Sequence, residues 1–130
     1  MSPTKIIEKE LSYKIVQAAY EVFNALGPGF LEKIYEGGME EELRLRKHKV
    51  ERQKRVPIYF KGKQIGFHVL DTVVDGRVIV ELKAVTEIAP IHKQQALSCL
   101  KATGIQLALV INFGAKRLQV SRVVYTHHKK

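Results

Sequence analysis

The sequence predicts a mixed α/β fold, one sheet with helices packed on it, in the order ααβββαββ. Three observations predict it. Apolar side chains recur at steps of three and four up to about residue 47, after which the period changes to two. A further helical segment follows Pro90, between strand-like runs. Leu107 to Phe113 is a short apolar run of the kind buried on both faces of a sheet.

The first helix is expected over residues 4–26, with Ile7, Leu11, Ile15, Ala18, Val22 and Leu26 on one stripe. Ser2 would cap it and Pro3 would open it. Gly27-Pro28-Gly29 breaks the chain. A second helix, about 31–47, carries its apolar face at Leu31, Ile34, Tyr35, Met39 and Leu43, and its basic last turns suit the helix dipole. Residues 50–60 form a strand whose Pro57 marks an edge or a bulge. Lys61-Gly62-Lys63 turns it into a strand over 64–74, and Asp75-Gly76 is a hairpin signal before the strand 77–85. A third helix runs from Pro90 to near Gly104, followed by strands at 107–113 and about 117–125. Residues 126–130 read as a loose basic tail, and 1–130 as a single domain.

With 130 residues, 45% of them apolar and 27% charged, the composition excludes collagen-like, disordered and disulfide-scaffold classes. No apolar run is long enough for a membrane span, and residues 1–10 lack the apolar stretch of a secretory signal. The single cysteine, Cys99, cannot form an internal disulfide, so a reducing cytoplasm is the expected location. The net charge of +9 is unevenly spread: residues 1–40 and 66–90 each balance to −2, residues 41–65 to +6, and the remainder to +7 without one acid. A polyanionic partner such as nucleic acid fits this distribution; so does a merely soluble basic domain.

Glu81 and Lys83 stand inside the most strand-like run of the chain, on the face of Ile79 and Val85, opposite Val78, Val80, Leu82 and Ala84. Two charges half-buried in a central strand cost several kcal/mol unless they compensate each other or serve a site. Asp71, on the preceding strand, bears on that choice. A two-residue turn at Asp75-Gly76 would put it on the wrong face. A three-residue loop, Val74-Asp75-Gly76, puts it opposite Ile79 and diagonal to Glu81, roughly 7 Å away between backbones. The odd loop is the expectation. Two carboxylates and a lysine on one face suit metal-assisted phosphodiester cleavage, in which Mg²⁺ takes oxygen ligands and Lys83 orients the attacking water or steadies charge on the phosphate.

Gly29-Phe30-Leu31-Glu32-Lys33-Ile34-Tyr35, Asp71 and Val78-Ile79-Val80-Glu81-Leu82-Lys83-Ala84 resemble the motifs of the GxxExxY family. So do Ala89-Pro90-Ile91-His92, Gln95, Leu100-Lys101-Ala102-Thr103-Gly104 and Ile111-Asn112-Phe113-Gly114. That family is classed with PD-(D/E)XK nuclease-like proteins, and the resemblance implies their restriction-endonuclease-like αβββαβ core. It implies metal ligands at Asp71 and Glu81, joined by the Leu82 backbone carbonyl, and a catalytic lysine at Lys83. Glu32 matches an acidic residue that related nucleases set on a helix beside the metal; an exposed helix charge is its ordinary alternative. Tyr35 suits core packing. Gln95 matches a site-facing glutamine of exonuclease-type relatives, although Cys99 stands where some carry a tyrosine and Val69 where many family members carry an arginine.

The histidines lack zinc-site spacing, and His92 reads as a capping or supporting residue. Gly27-Pro28-Gly29 reads as a turn rather than a phosphate cradle, and Cys99 as core packing. The expected function is a metal-dependent nuclease on DNA, using Mg²⁺ or Mn²⁺, without visible sequence specificity. Double-strand cleavage would require a homodimer or a partner. The alternative is a nucleic-acid-binding or protein-interaction module that keeps the fold and cuts little or nothing.

Overall fold

A computed structural model describes residues 6–126; Ser2, Pro3, residues 4 and 5 of the expected first helix and residues 127–130 of the expected tail lie outside the described residues. Among the described residues, helix α1 (Lys9–Leu26) leaves out residues 6–8 of the expected span. Glu8 adopts φ 51°, ψ 43°, a left-handed conformation that a right-handed helix cannot run through. Its stripe is the predicted one, with Leu11, Ile15, Ala18 and Val22 buried. Helix α2 (Glu32–Leu45) buries Tyr35, Glu36, Met39 and Leu43, whereas Leu31 and Ile34 are exposed. Tyr35 sets this roll. Its ring stacks on Phe113 at 4.6 Å and its hydroxyl donates to the Gly27 carbonyl at 2.6 Å, which swings Glu36 inward instead of Ile34. Gly38 lets the helices approach, since a Cβ there would lie 3.0 Å from a Val22 methyl.

Five strands follow: β1 (Val50–Phe60), β2 (Lys63–Val74), β3 (Val78–Lys83), then helix α3 (Pro90–Thr103), β4 (Leu107–Asn112) and β5 (Gln119–Val124). They form one sheet in the order β1-β2-β3-β4-β5. The β3–β4 pair is parallel, bridged by α3, and the others are antiparallel. Pro57 lies on the edge strand, where its missing N–H is harmless. β4 is buried along its whole length. Helices α1 and α2 pack on one face over Val78, Val80 and Leu82, and α3 on the other over Ile79, Ala108 and Val110. Among the described residues no helix is long and apolar enough to cross a membrane.

The β2–β3 hairpin keeps the expected odd count with a different register. Asp75 and Gly76 both take left-handed φ, and Arg77 N–H closes the turn on the Val74 carbonyl at 3.0 Å. Arg77, not Val74, is the extra residue, so pairing resumes at Val74↔Val78. The cause lies upstream. Asp75 N–H donates to the Lys49 carbonyl, and the Asp75 carboxylate takes the Lys49 N–H and His48 Nδ1, each at 2.8 Å, which holds Val74 in the sheet. Asp71 therefore falls in line with Glu81 rather than opposite Ile79.

The β1–β2 ribbon also turns over beside Asp71. Its ladder skips from Arg52↔Thr72 to Lys54↔Leu70, and between them Gln53 has φ 53°. Val50 and Val74 pack under α1 and α2, but Val56 and Leu70 pack under α3. At the same point β2 parts from β3, whose shared ladder ends at Thr72↔Val80.

Candidate metal centre

The parting of β2 from β3 creates the site. Beyond Val80, β3 pairs only with β4, so the backbone groups of its last residues on the β2 side need other partners. Asp71 supplies one: its Oδ2 accepts the Leu82 N–H at 3.1 Å, a carboxylate standing in for a strand. In an extended strand the N–H and C=O of one residue point to the same side. The Leu82 carbonyl therefore points toward Asp71, while the Lys83 carbonyl points to β4 and accepts the Phe113 N–H at 2.8 Å.

Asp71, Glu81, Lys83 and Gln95 line one cavity of about 170 Å³, together with His68, Val69, His92 and Cys99. Thus the two strand carboxylates and the lysine share a face, as the odd loop requires, and α3 closes over them. Glu32 comes from the other side, on the first turn of α2. Carboxylate oxygens of Glu32, Glu36 and Asp71 lie within 4.8 Å of one another. Glu36 has no counterpart in the sequence reading, although it stands one helical turn from Glu32. It is held by Arg52 and by the Gln53 amide, each 3.2 Å from Oε1.

The carboxyls repel one another. Burial pushes the Glu81 carboxyl far above the ordinary range, the Asp71 charge pushes it further, and Lys83 pulls against both. Glu32 is raised in the same way, by burial and then by Asp71. The Cys99 Sγ lies 3.9 Å from Glu81 Oε1, and burial with the Glu81 and Asp71 charges pushes the thiol up to about 12. Cys99 is therefore buried core, as expected, and also an uncharged wall of the cavity.

The surrounding motifs position these groups. Gly29, with φ 117°, turns the chain into α2, and Tyr35 pins that turn by donating to Gly27 and accepting the Phe30 N–H at 3.1 Å. Glu32 projects from this pinned end. Beyond β3, the buried Asn112 accepts the N–H groups of Val85 (2.9 Å) and Gly114 (3.0 Å) and donates to the Val85 carbonyl (2.9 Å) and Gln119 (2.8 Å). Gly114 is obligatory, since a Cβ there would lie 2.4 Å from the Val85 backbone. His92 caps α3: its Nδ1 accepts the Ala89 N–H at 3.0 Å, which leaves the proton of a neutral ring on Nε2.

Residues 9–123 match the family model of the PD-(D/E)XK nuclease superfamily. The chain belongs to that superfamily. No curated protein matches it. Among solved structures it is similar to one described as the crystal structure of SSO0001, with 16% identity and a TM-score of 0.55. The superposition covers 93% of this chain and spans 59% of the other, and at that identity it speaks for the fold alone. The five-stranded mixed sheet flanked by helices is a PD-(D/E)XK-type, restriction-endonuclease-like core. The superfamily is one of nucleases, which use a divalent metal. The residues present fit such an ion: hard carboxylate oxygens of Glu32 and Glu36 on α2 and of Asp71 on β2 lie together, Glu81 shares the cavity of Asp71, and the repulsion among them is what a cation relieves.

Proposed function

We propose that this protein is a metal-dependent nuclease that hydrolyses phosphodiester bonds in DNA. Mg²⁺ would be the resident ion, with Mn²⁺ as a substitute, and the protein a cytoplasmic, prokaryotic member of the GxxExxY family. The observation that carries the reading is the meeting of Asp71, Glu81 and Lys83 in one cavity, with Glu32 and Glu36 adding carboxylates beside Asp71. Asp71, Glu81, the Leu82 carbonyl and Glu32 would hold the ion. When bound, it supplies Lewis-acid polarisation of the scissile phosphate and a water acidified toward neutral pH.

The rest of the chemistry belongs to the chain. Lys83 Nζ, on the same face as Glu81, donates to the attacking water or to a non-bridging phosphate oxygen and offsets charge that grows during attack. The Gln95 side chain, reaching in from α3, orients the same groups. Water adds to phosphorus and gives up a proton, one P–O ester bond breaks, and the departing oxygen takes up a proton in exchange. Glu36, gripped by Arg52 and Gln53, keeps the first turn of α2 and its Glu32 against the site. Residues 1–130 would act as one domain, cutting one strand per site, so that double-strand cleavage takes a homodimer or a partner.

The test is cleavage of linear, circular and single-stranded DNA, and of RNA, with Mg²⁺ or Mn²⁺, beside a chelator control and Glu81→Ala. The expected result is metal-dependent cutting of DNA that is lost in the variant. Binding that weakens steeply with salt and is never followed by cutting overturns the nuclease reading in favour of a binding module. Cleavage of RNA in preference to DNA overturns the choice of substrate.

A further inference from the structure

Beside the acidic cavity lies a second one, of about 240 Å³, between the turned-over part of the β1–β2 ribbon and α3. Its walls are apolar, chiefly Val56, Phe67, Leu70 and Ala102. The two cavities share His68, Gln95 and Cys99, so one opens alongside the other. Its volume falls below the roughly 300–1,000 Å³ of a site for a drug-sized molecule, and suits a single flat ring system.

The ribbon that forms its rim has a charge of one sign. From residue 52 to residue 70 there is no acid, while Arg52, Lys54, Arg55, Lys61 and Lys63 supply five cations. Arg52 is spent on Glu36 and Glu40, and Lys54 meets Glu51, but among the described residues Arg55, Lys61 and Lys63 pair with no carboxylate. Aromatic rings are interleaved with them: Tyr59, Phe60 and Phe67 are 61%, 60% and 51% exposed. The Arg55 guanidinium sits 3.7 Å from the centre of the Phe67 ring, which stiffens a ring that would otherwise be loose. Cations along a backbone path with aromatic faces beside it are the two requirements for gripping a strand whose bases are unstacked.

We infer that this second cavity receives an unpaired nucleobase of single-stranded DNA, stacked against Phe67, while Arg55, Lys61 and Lys63 hold the phosphates of the same strand. The inference deepens the nuclease reading and rests on it, because it makes single-stranded or frayed DNA the substrate presented to Asp71, Glu81 and Lys83. A paired base cannot enter without leaving its stack, so duplex DNA is the disfavoured form.

Binding is measured by fluorescence anisotropy in chelator at low salt, where nothing is cut. The probes are an oligothymidine dodecamer, an abasic strand of equal length and a blunt duplex. The wild type is expected to bind oligothymidine at least about fivefold more tightly than the abasic strand, the size of effect one stacked base produces. That preference should vanish in Phe67→Ala, whose exposed ring leaves the core intact, and in Ala102→Phe, which fills the cavity without removing a cation. Equal binding of the abasic and thymidine strands by the wild type, or tighter binding of the duplex, overturns the inference. The two readings fail separately. Metal-dependent cutting that is equal on blunt duplex and single strands, and indifferent to Phe67, removes the base pocket and leaves the nuclease. Base-dependent binding without cutting in either metal keeps the pocket and removes the nuclease.

Discussion

The two halves of β3 differ in one respect, and the site follows from it. Val78–Val80 are laddered on both sides, by β2 and β4, and are fully buried. Glu81–Lys83 keep β4 but have lost β2, and there the strand carries charge. Withdrawing one ladder opens a backbone edge in the middle of a sheet, and Asp71 fills it with a side chain. A carboxylate in place of a strand leaves room, oxygen atoms and a direction for the Leu82 carbonyl. The charged half of β3 is built by unpairing, and its geometry depends on whatever holds the unpaired end.

The largest effect should come from the anchor just past that end. Gly114→Ala drives a Cβ into the Val85 backbone and is expected to destabilise by about 3 kcal/mol in urea unfolding. Asn112→Ala leaves the Val85 and Gly114 N–H groups without their side-chain acceptor and should cost roughly 2–3 kcal/mol. A substitution on the doubly laddered half acts through packing alone. Val80→Ala, for instance, should lower stability while leaving metal affinity unchanged per folded molecule.

Glu81→Gln sharpens the comparison with the opposite sign. The Glu81 carboxyl is raised in the folded state, so its contribution is fully present below the unfolded carboxylate range and is lost as pH rises toward the folded value. The metal-free wild type should therefore lose stability from about pH 5 to pH 8, and Glu81→Gln should be flatter over that window and roughly 2 kcal/mol more stable near its upper end. Thermal unfolding at several pH values in chelator checks this. Tyr35→Phe should have the smallest effect, about 1 kcal/mol, because it removes the hydroxyl tie on the turn before Glu32 and keeps the stacked ring.

Much of this was legible in the sequence. The element order follows from periodicity, and the odd hairpin correctly put Asp71 on the face of Glu81. Its register was not legible, because the extra residue is chosen by His48 and Lys49, which contact Asp75 from another strand's approach. Leu31 and Ile34 look like core on a helical wheel, yet Tyr35 rolls α2 away from them. Glu36 was hidden for the same reason: only the packed helix shows it turned toward Asp71. Asn112 was visible as part of a motif, but its hydrogen bonds join segments distant in sequence. The left-handed Gln53, which turns the ribbon over, has no glycine or asparagine to announce it.

The central claim is that these carboxyls share one divalent ion and that burial, reinforced by repulsion from Asp71, keeps a proton on Glu81 until it arrives. Calorimetric titration with Mn²⁺ near pH 7, repeated in buffers of different ionisation enthalpy, counts the protons released on binding. The account predicts release of a proton with each ion bound by the wild type, affinity that rises with pH, and loss of both in Glu81→Gln. Binding without proton release, or with an affinity unchanged in Glu81→Gln, would contradict it.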